Sequence, residues 1–108
     1  MTPDSIQRRL PDIARLIPRM QKIADAHPTP LYVFDAQEVR NSMQSFREAF
    51  EQAGVPVEIF YAVKSNPYGG LLRTVVAEHG GLDVSSQREL RLALAADAPR
   101  IIYTGPGK

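Results

Sequence analysis

The chain has 108 residues, 44% hydrophobic and 23% charged, with 13 Lys+Arg against 12 Asp+Glu for a formal net charge of +1. That is one domain's length with the composition of a folded protein, and a charge so near zero leaves no electrostatic footprint for nucleic acid. Cysteine is absent, which removes disulfides, thiolate metal sites and cysteine nucleophiles together. Apolar runs are a few residues long against the roughly 20 of a membrane span, and Asp4, Arg8, Arg9 and Asp12 break any secretory leader. The expectation is a cytoplasmic protein that binds neither nucleic acid nor membrane.

Residues 1–28 carry Ile6, Leu10, Ile13, Leu16, Ile17, Met20 and Ile23 near helical spacing. Pro11 and Pro18 interrupt them, which predicts two short helices or one kinked helix. No chemistry is visible there, and the segment reads as an amphipathic extension. After Pro28-Thr29-Pro30 the run Leu31-Tyr32-Val33-Phe34 is β-prone. Asp35 then reads as an N-cap, with Glu38 completing a capping box. Val39, Met43, Phe46 and Phe50 form one helix face, stopped by Gly54 and Pro56.

From there the chain alternates. Residues 57–63 predict a strand that ends at Lys64, followed by a Ser65-Asn66-Pro67 turn. Leu71, Leu72, Val75 and Val76 mark a helix closed by Gly80-Gly81, and Leu82-Asp83-Val84-Ser85 is a second strand. Ser86 and Glu89 make another capping box, opening a helix through Leu90, Leu92, Ala93, Leu94 and Ala96. Residues 100–104 are a third strand, directly before Gly105-Pro106-Gly107-Lys108. Strand and helix in alternation predict an α/β fold with a parallel sheet. Such a sheet must be covered on both faces or closed into a barrel. Three strands do neither, so the chain reads as the first part of a larger (β/α)8 barrel, which typically takes about 250 residues. An open three-layer sheet is the competing architecture, weakened for dinucleotides because no GxGxxG follows a strand.

In a parallel array, functional residues gather where the strands end. Here that means Lys64, Ser85-Ser86 and Thr104-Gly105. Side-chain alternation puts the aliphatic residues against the helices and turns Ala62, Lys64, Asp83 and Ser85 toward the interior. A lysine so placed needs a partner or a function, because an isolated ammonium is costly to desolvate. Asp83 can be that partner, and Glu89 is read first as a capping residue. His27 and His79 fall in different segments, so no metal site is expected, and no Ser-His-Asp arrangement is legible.

Four segments in order carry a family resemblance. Thr29-Pro30-Leu31-Tyr32-Val33-Phe34-Asp35 looks like the opening signature of the fold-type III, pyridoxal-phosphate-dependent amino-acid decarboxylases, which include the diaminopimelate, ornithine and arginine enzymes. Phe60-Tyr61-Ala62-Val63-Lys64-Ser65-Asn66 resembles the family's Y-A-x-K-x-N segment. Gly81-Leu82-Asp83-Val84-Ser85-Ser86 through Glu89-Leu90 is similar to its G-x-D-x-x-S-x-x-E-[LI] segment. Ile101-Ile102-Tyr103 with Gly105-Pro106-Gly107-Lys108 resembles its third strand and trailing lysine.

The resemblance implies an alanine racemase/ornithine decarboxylase-type barrel. Residues 1–28 are then a helical extension, residues 31–34 a strand of a separate β-domain, and residues 29–108 an incomplete pyridoxal-phosphate-binding barrel domain. It implies that Lys64 forms the Schiff base with pyridoxal 5'-phosphate. It also implies that Asp83 lies close to that lysine and influences its charge and orientation, that Ala62 is small because the cofactor ring is near, and that Glu89 and Ser85 lie in the pocket region. The protein is then expected to be a homodimeric lyase decarboxylating a basic or diamino acid of the diaminopimelate, ornithine, lysine or arginine type. The remaining site residues fall beyond residue 108, so the chain alone is expected to be inactive. Two alternatives stand: an alanine-racemase-like enzyme, which Val63-Lys64-Ser65-Asn66-Pro67-Tyr68-Gly69 also resembles, and a non-catalytic decarboxylase-like binding protein.

Overall fold

A computed structural model describes residues 3–106, which form two compact units that divide between Val33 and Phe34. Gly107 and Lys108, the lysine trailing the third strand, lie outside the described residues.

The first unit is one helix, α1 (Pro3–Ala26), with Asp4 in its first turn, where the positive end of the helix dipole favours an acid. Of the two forms expected, two short helices or one kinked helix, the chain forms a single helix that runs through Pro11 and Pro18. Each proline removes one backbone N–H, but both stand exposed, so water can hydrate the carbonyls left without a partner. Asp12 and Arg15, one turn apart, are ion-paired on the polar side. The strand predicted over residues 31–34 is not formed. Its β-prone residues have no partner strand among the described residues, and a strand exists only through its ladder.

The second unit opens with α2 (Ala36–Gln52), where Asp35 is the N-cap and its carboxylate accepts the Gln37 N–H at 2.9 Å. Cap and helix are where the sequence puts them, although Asp35 takes the amide of Gln37 rather than that of Glu38. Next come β1 (Phe60–Ala62), a 3-10 turn (Val63–Ser65) and α3 (Gly69–Ala77). β2 (Gly81–Val84), α4 (Gln87–Ala95) and β3 (Ile101–Tyr103) complete it. The sheet has three parallel strands in the order β1-β2-β3, as the alternation predicts. β1 is shorter than the predicted strand over 57–63, because pairing begins only where β2 is present to meet it: Phe60 lies opposite Gly81.

Register sets the two faces. Tyr61 pairs with Leu82 and Leu82 with Ile101, while Val84 pairs with Tyr103. These residues face the helices, and Leu82 and Val84 are wholly buried there with Val63, Leu72, Val75 and Ala93. Burying an aliphatic side chain of this size contributes about 1.5–3 kcal/mol, so this row holds the unit together. The opposite face carries Ala62 beside Asp83 beside Ile102, the first two half-buried and Ile102 exposed.

Three helices end in one way. Gly54, His79 and Asp97 each take a left-handed backbone (φ 69°, 61° and 54°). The next residue's N–H then reaches back five residues, from Val55 to Phe50, Gly80 to Val75 and Ala98 to Ala93. The sequence places the first of these stops on Gly54. In α3 it points to Gly80-Gly81, yet the left-handed residue is His79. Gly80 and Gly81 serve close packing instead, because a Cβ would strike Val75 at one and the Phe60 ring at the other. Arg47 donates to the Glu78 carbonyl and Arg40 pairs with Glu78 at 3.3 Å, tying α2 to the end of α3.

A mainly apolar groove of about 240 Å³ runs between α2, β1 and α3, lined by Val39, Met43, Ile59, Tyr61 and Leu71 among others. It lies on the helix side of the sheet. Leu72→Ala should destabilise the protein by about 2–5 kcal/mol, whereas Leu94→Ala, on the exposed side of α4, should change it by less than about 0.5 kcal/mol. Urea unfolding midpoints of the two variants check this, and equal midpoints would place the core elsewhere.

Candidate active site

At the end of β1 the chain leaves the sheet in the 3-10 turn, with Val63 fully buried as its anchor and Lys64 exposed. The turn is secured further along. The Asn66 side chain accepts the Tyr68 N–H at 3.0 Å, an Asx turn. From the helix face of β1, the Tyr61 phenol comes near the Asn66 backbone. Burial raises the phenol above its ordinary 10.0, and the Asn66 backbone offsets part of that rise. Buried Val63 before the lysine and the Asn66 turn after it hold this backbone, while Lys64 itself is exposed. The turn packs against β2 and α4.

β2 delivers Asp83 to the same end. Its Cα partner on β1 is Ala62, so the carboxylate rises from the sheet beside a methyl group, two residues before the lysine. Its Oδ1 accepts the Thr104 hydroxyl at 2.7 Å, an ordinary O–H···O length. Sequence reasoning named Thr104 only as a strand end. Its signal was the period of two, which puts residue 104 on the same face as Ile102 and hence Asp83.

Ser85 and Glu89 close the cluster. Ser86 caps α4 by accepting the Glu89 N–H at 3.2 Å, as the capping box predicts. The reciprocal half differs: the Glu89 carboxylate reaches past the cap to the Ser85 N–H at 2.8 Å and the Ser85 hydroxyl at 3.0 Å. With that amide one residue further out, Glu89 fixes the strand end as well as the helix start. Ala62, Lys64, Asp83, Ser85 and Glu89 thus gather at the C-terminal ends of β1 and β2, with Thr104 beyond β3.

Glu89 is held below the ordinary carboxyl value of 4.5, chiefly by the Ser85 N–H. Partial desolvation opposes this, while the Ser85 and Ser86 hydroxyls and the positive charge of Lys64 add to it. A pyridoxal cofactor fits this donor set. The exposed amine can condense with an aldehyde, the methyl of Ala62 leaves space on the open face, and the Glu89 carboxylate lies close enough to feel the charge of Lys64. A carboxyl depressed on folding gives stability that is present above its unfolded value and lost as pH falls through its folded one. Glu89→Gln should therefore flatten the fall of melting temperature below about pH 4.5. Equal slopes for the variant and the parent protein would show that Ser85 does not hold an ionised Glu89.

Comparison with known proteins places the cluster in a lineage. The family model for the pyridoxal-dependent decarboxylases, pyridoxal binding domain, matches residues 36–108. The diaminopimelate decarboxylase of Methanothermobacter thermautotrophicus is 36% identical over 86 residues, covering 78% of this chain and 20% of the relative. That of Bacillus subtilis is 36% identical over 88 residues, covering 80% and 20%. That of Deinococcus radiodurans is 40% identical over 91 residues, covering 82% and 23%. The chain spans about a fifth of the length of these relatives. No solved structure matches it. The cofactor of the family is pyridoxal phosphate, and the chain, through residues 36–108, belongs to the pyridoxal-dependent decarboxylases.

Proposed function

We propose that the chain contributes the start of the cofactor-binding barrel to an amino-acid decarboxylase of its relatives' length, and that Lys64 is the residue that holds pyridoxal phosphate covalently. One observation carries this reading: an exposed lysine on a turn just past the C-terminal end of a parallel strand, two residues beyond the position paired with an aspartate, in a chain that belongs to this family. The substrate class is a basic or diamino acid, with diaminopimelate first, because the relatives described above bear that name. A (β/α)8 barrel, a cytoplasmic homodimer and the pocket roles of Ala62, Asp83, Ser85 and Glu89 belong to the same reading. The decarboxylase family model favours it over a racemase.

The chemistry of the chain's own residues follows from their states. The Lys64 amine attacks a carbonyl carbon only when it has lost its proton, so the groups around it decide how readily it reacts. Asp83 offers a carboxylate to orient the nitrogen and receive a hydrogen bond from it. Glu89, ionised and locked to Ser85, adds negative charge that Lys64 feels without competing for its lone pair. Pyridoxal phosphate, when bound, supplies an electron sink for the pair left behind as CO2 departs.

Incubation with pyridoxal phosphate followed by borohydride reduction should leave a covalent label on the peptide that contains Lys64. Lys64→Arg keeps the charge but cannot condense, and should take no label there. In a protein of the relatives' length it should also lose nearly all release of CO2 from diaminopimelate. A label on another lysine, or full turnover in the arginine variant, would overturn the assignment.

A further inference from the structure

Asp83 has two carboxylate oxygens, and among the described residues one of them is engaged. Thr104 donates to Oδ1 at 2.7 Å. A solvent-facing hydroxyl competes with water for such a bond, so what matters is how firmly its own backbone is placed. The Thr104 N–H donates to the Val84 carbonyl at 2.9 Å, extending the β2–β3 ladder one step past the paired residues. The next residue, Gly105, is buried hard against the end of β2, where any side chain would run into the backbone of Ser85. Ser85 is in turn fixed through its N–H and hydroxyl by Glu89. Thr104 is thus set by a ladder bond on one side and a close backbone approach on the other.

We propose that Thr104 is a positioning residue: by occupying Oδ1 it holds the Asp83 carboxylate in one orientation and leaves Oδ2 as the oxygen that faces the Lys64 amine. This rests on Lys64 being the cofactor-bearing lysine. A β-branched hydroxyl residue suits the place, because its restricted side-chain torsion keeps the donor aimed with little entropy to lose.

The test uses the full chain, with the rate of borohydride-trapped labelling of Lys64 by pyridoxal phosphate as readout and the urea midpoint measured alongside. Thr104→Val keeps the shape without the donor, and should slow labelling about tenfold, the scale of a modest misorientation of reacting groups. Thr104→Ser should restore the parent rate to within about twofold, and Asp83→Asn should slow it as Thr104→Val does. In the Asp83→Asn background, Thr104→Val should then add nothing, the signature of two residues acting through one interaction. Thr104→Ala replaces the valine variant if the latter fails to fold. A parent rate in the valine or alanine variant, or further slowing on top of Asp83→Asn, overturns the proposal while leaving Lys64 in place. Failure of the parent protein to label at Lys64 overturns both.

Discussion

The structure of the second unit depends on the central strand β2. Leu82 and Val84 on one face are sealed beneath α3 and α4, while Asp83 between them is turned to the other. Because the side-chain period of a strand is two, a slip of one residue would expose the pair and bury the aspartate. The transfer energy of two aliphatic side chains, about 3–6 kcal/mol on area bookkeeping, opposes that slip. The same pairing that makes the core therefore fixes Asp83 beside Ala62 and places the turn of Lys64 just beyond. Packing and site chemistry are two consequences of one register.

Polar bonds then sharpen what register only approximates. The Lys64 turn is closed by the Asn66 side chain on the Tyr68 N–H, Ser85 is held by Glu89 and Asp83 by Thr104. The other end of the sheet is built differently. There Arg100 pairs with Glu58 at 2.8 Å, donates to the His79 carbonyl at 2.6 Å and lies over the Phe60 ring at 5.8 Å. Those contacts join loop to loop across the strand starts. A stabilising end opposite the end that carries the candidate site is the arrangement expected of parallel strand–helix arrays.

How much of this was legible in the sequence depends on the range over which each signal acts. Hydrophobic periodicity and capping residues are local, so α2, α3, α4 and the parallel order could be read, and so could the facing of Ala62 and Asp83. Strand limits could not, because residues 57–59 and 31–34 look like strand but stand opposite no strand residue among the described residues, and pairing is a property of the partner. Pro11 and Pro18 left one helix or two open, and the single helix is the form present, both prolines standing exposed on it. The left-handed stop at His79 was hidden by two adjacent glycines, the usual signal, which proved to be needed for space. Thr104 was visible as a strand end, but its bond to Asp83 joins residues 21 apart and no local pattern encodes it.

The 3-10 turn bears on how a lysine can serve here. On a strand, the direction of its side chain would be dictated by the pleat and its freedom limited by neighbours above and below. On the turn, the buried Val63 and the Asn66 bond hold the backbone, and the four-carbon stem beyond it is left in solvent. A residue that must both bind a small carbonyl compound and yield its place to an incoming amine requires that combination of a rigid base and a mobile tip. Asp83, by contrast, is a short side chain on the central strand with one oxygen already engaged, suited to stay where it is. The site pairs a group built to move with a group built to stay, and the difference arises because β1 stops one residue before Val63 while β2 continues to Val84.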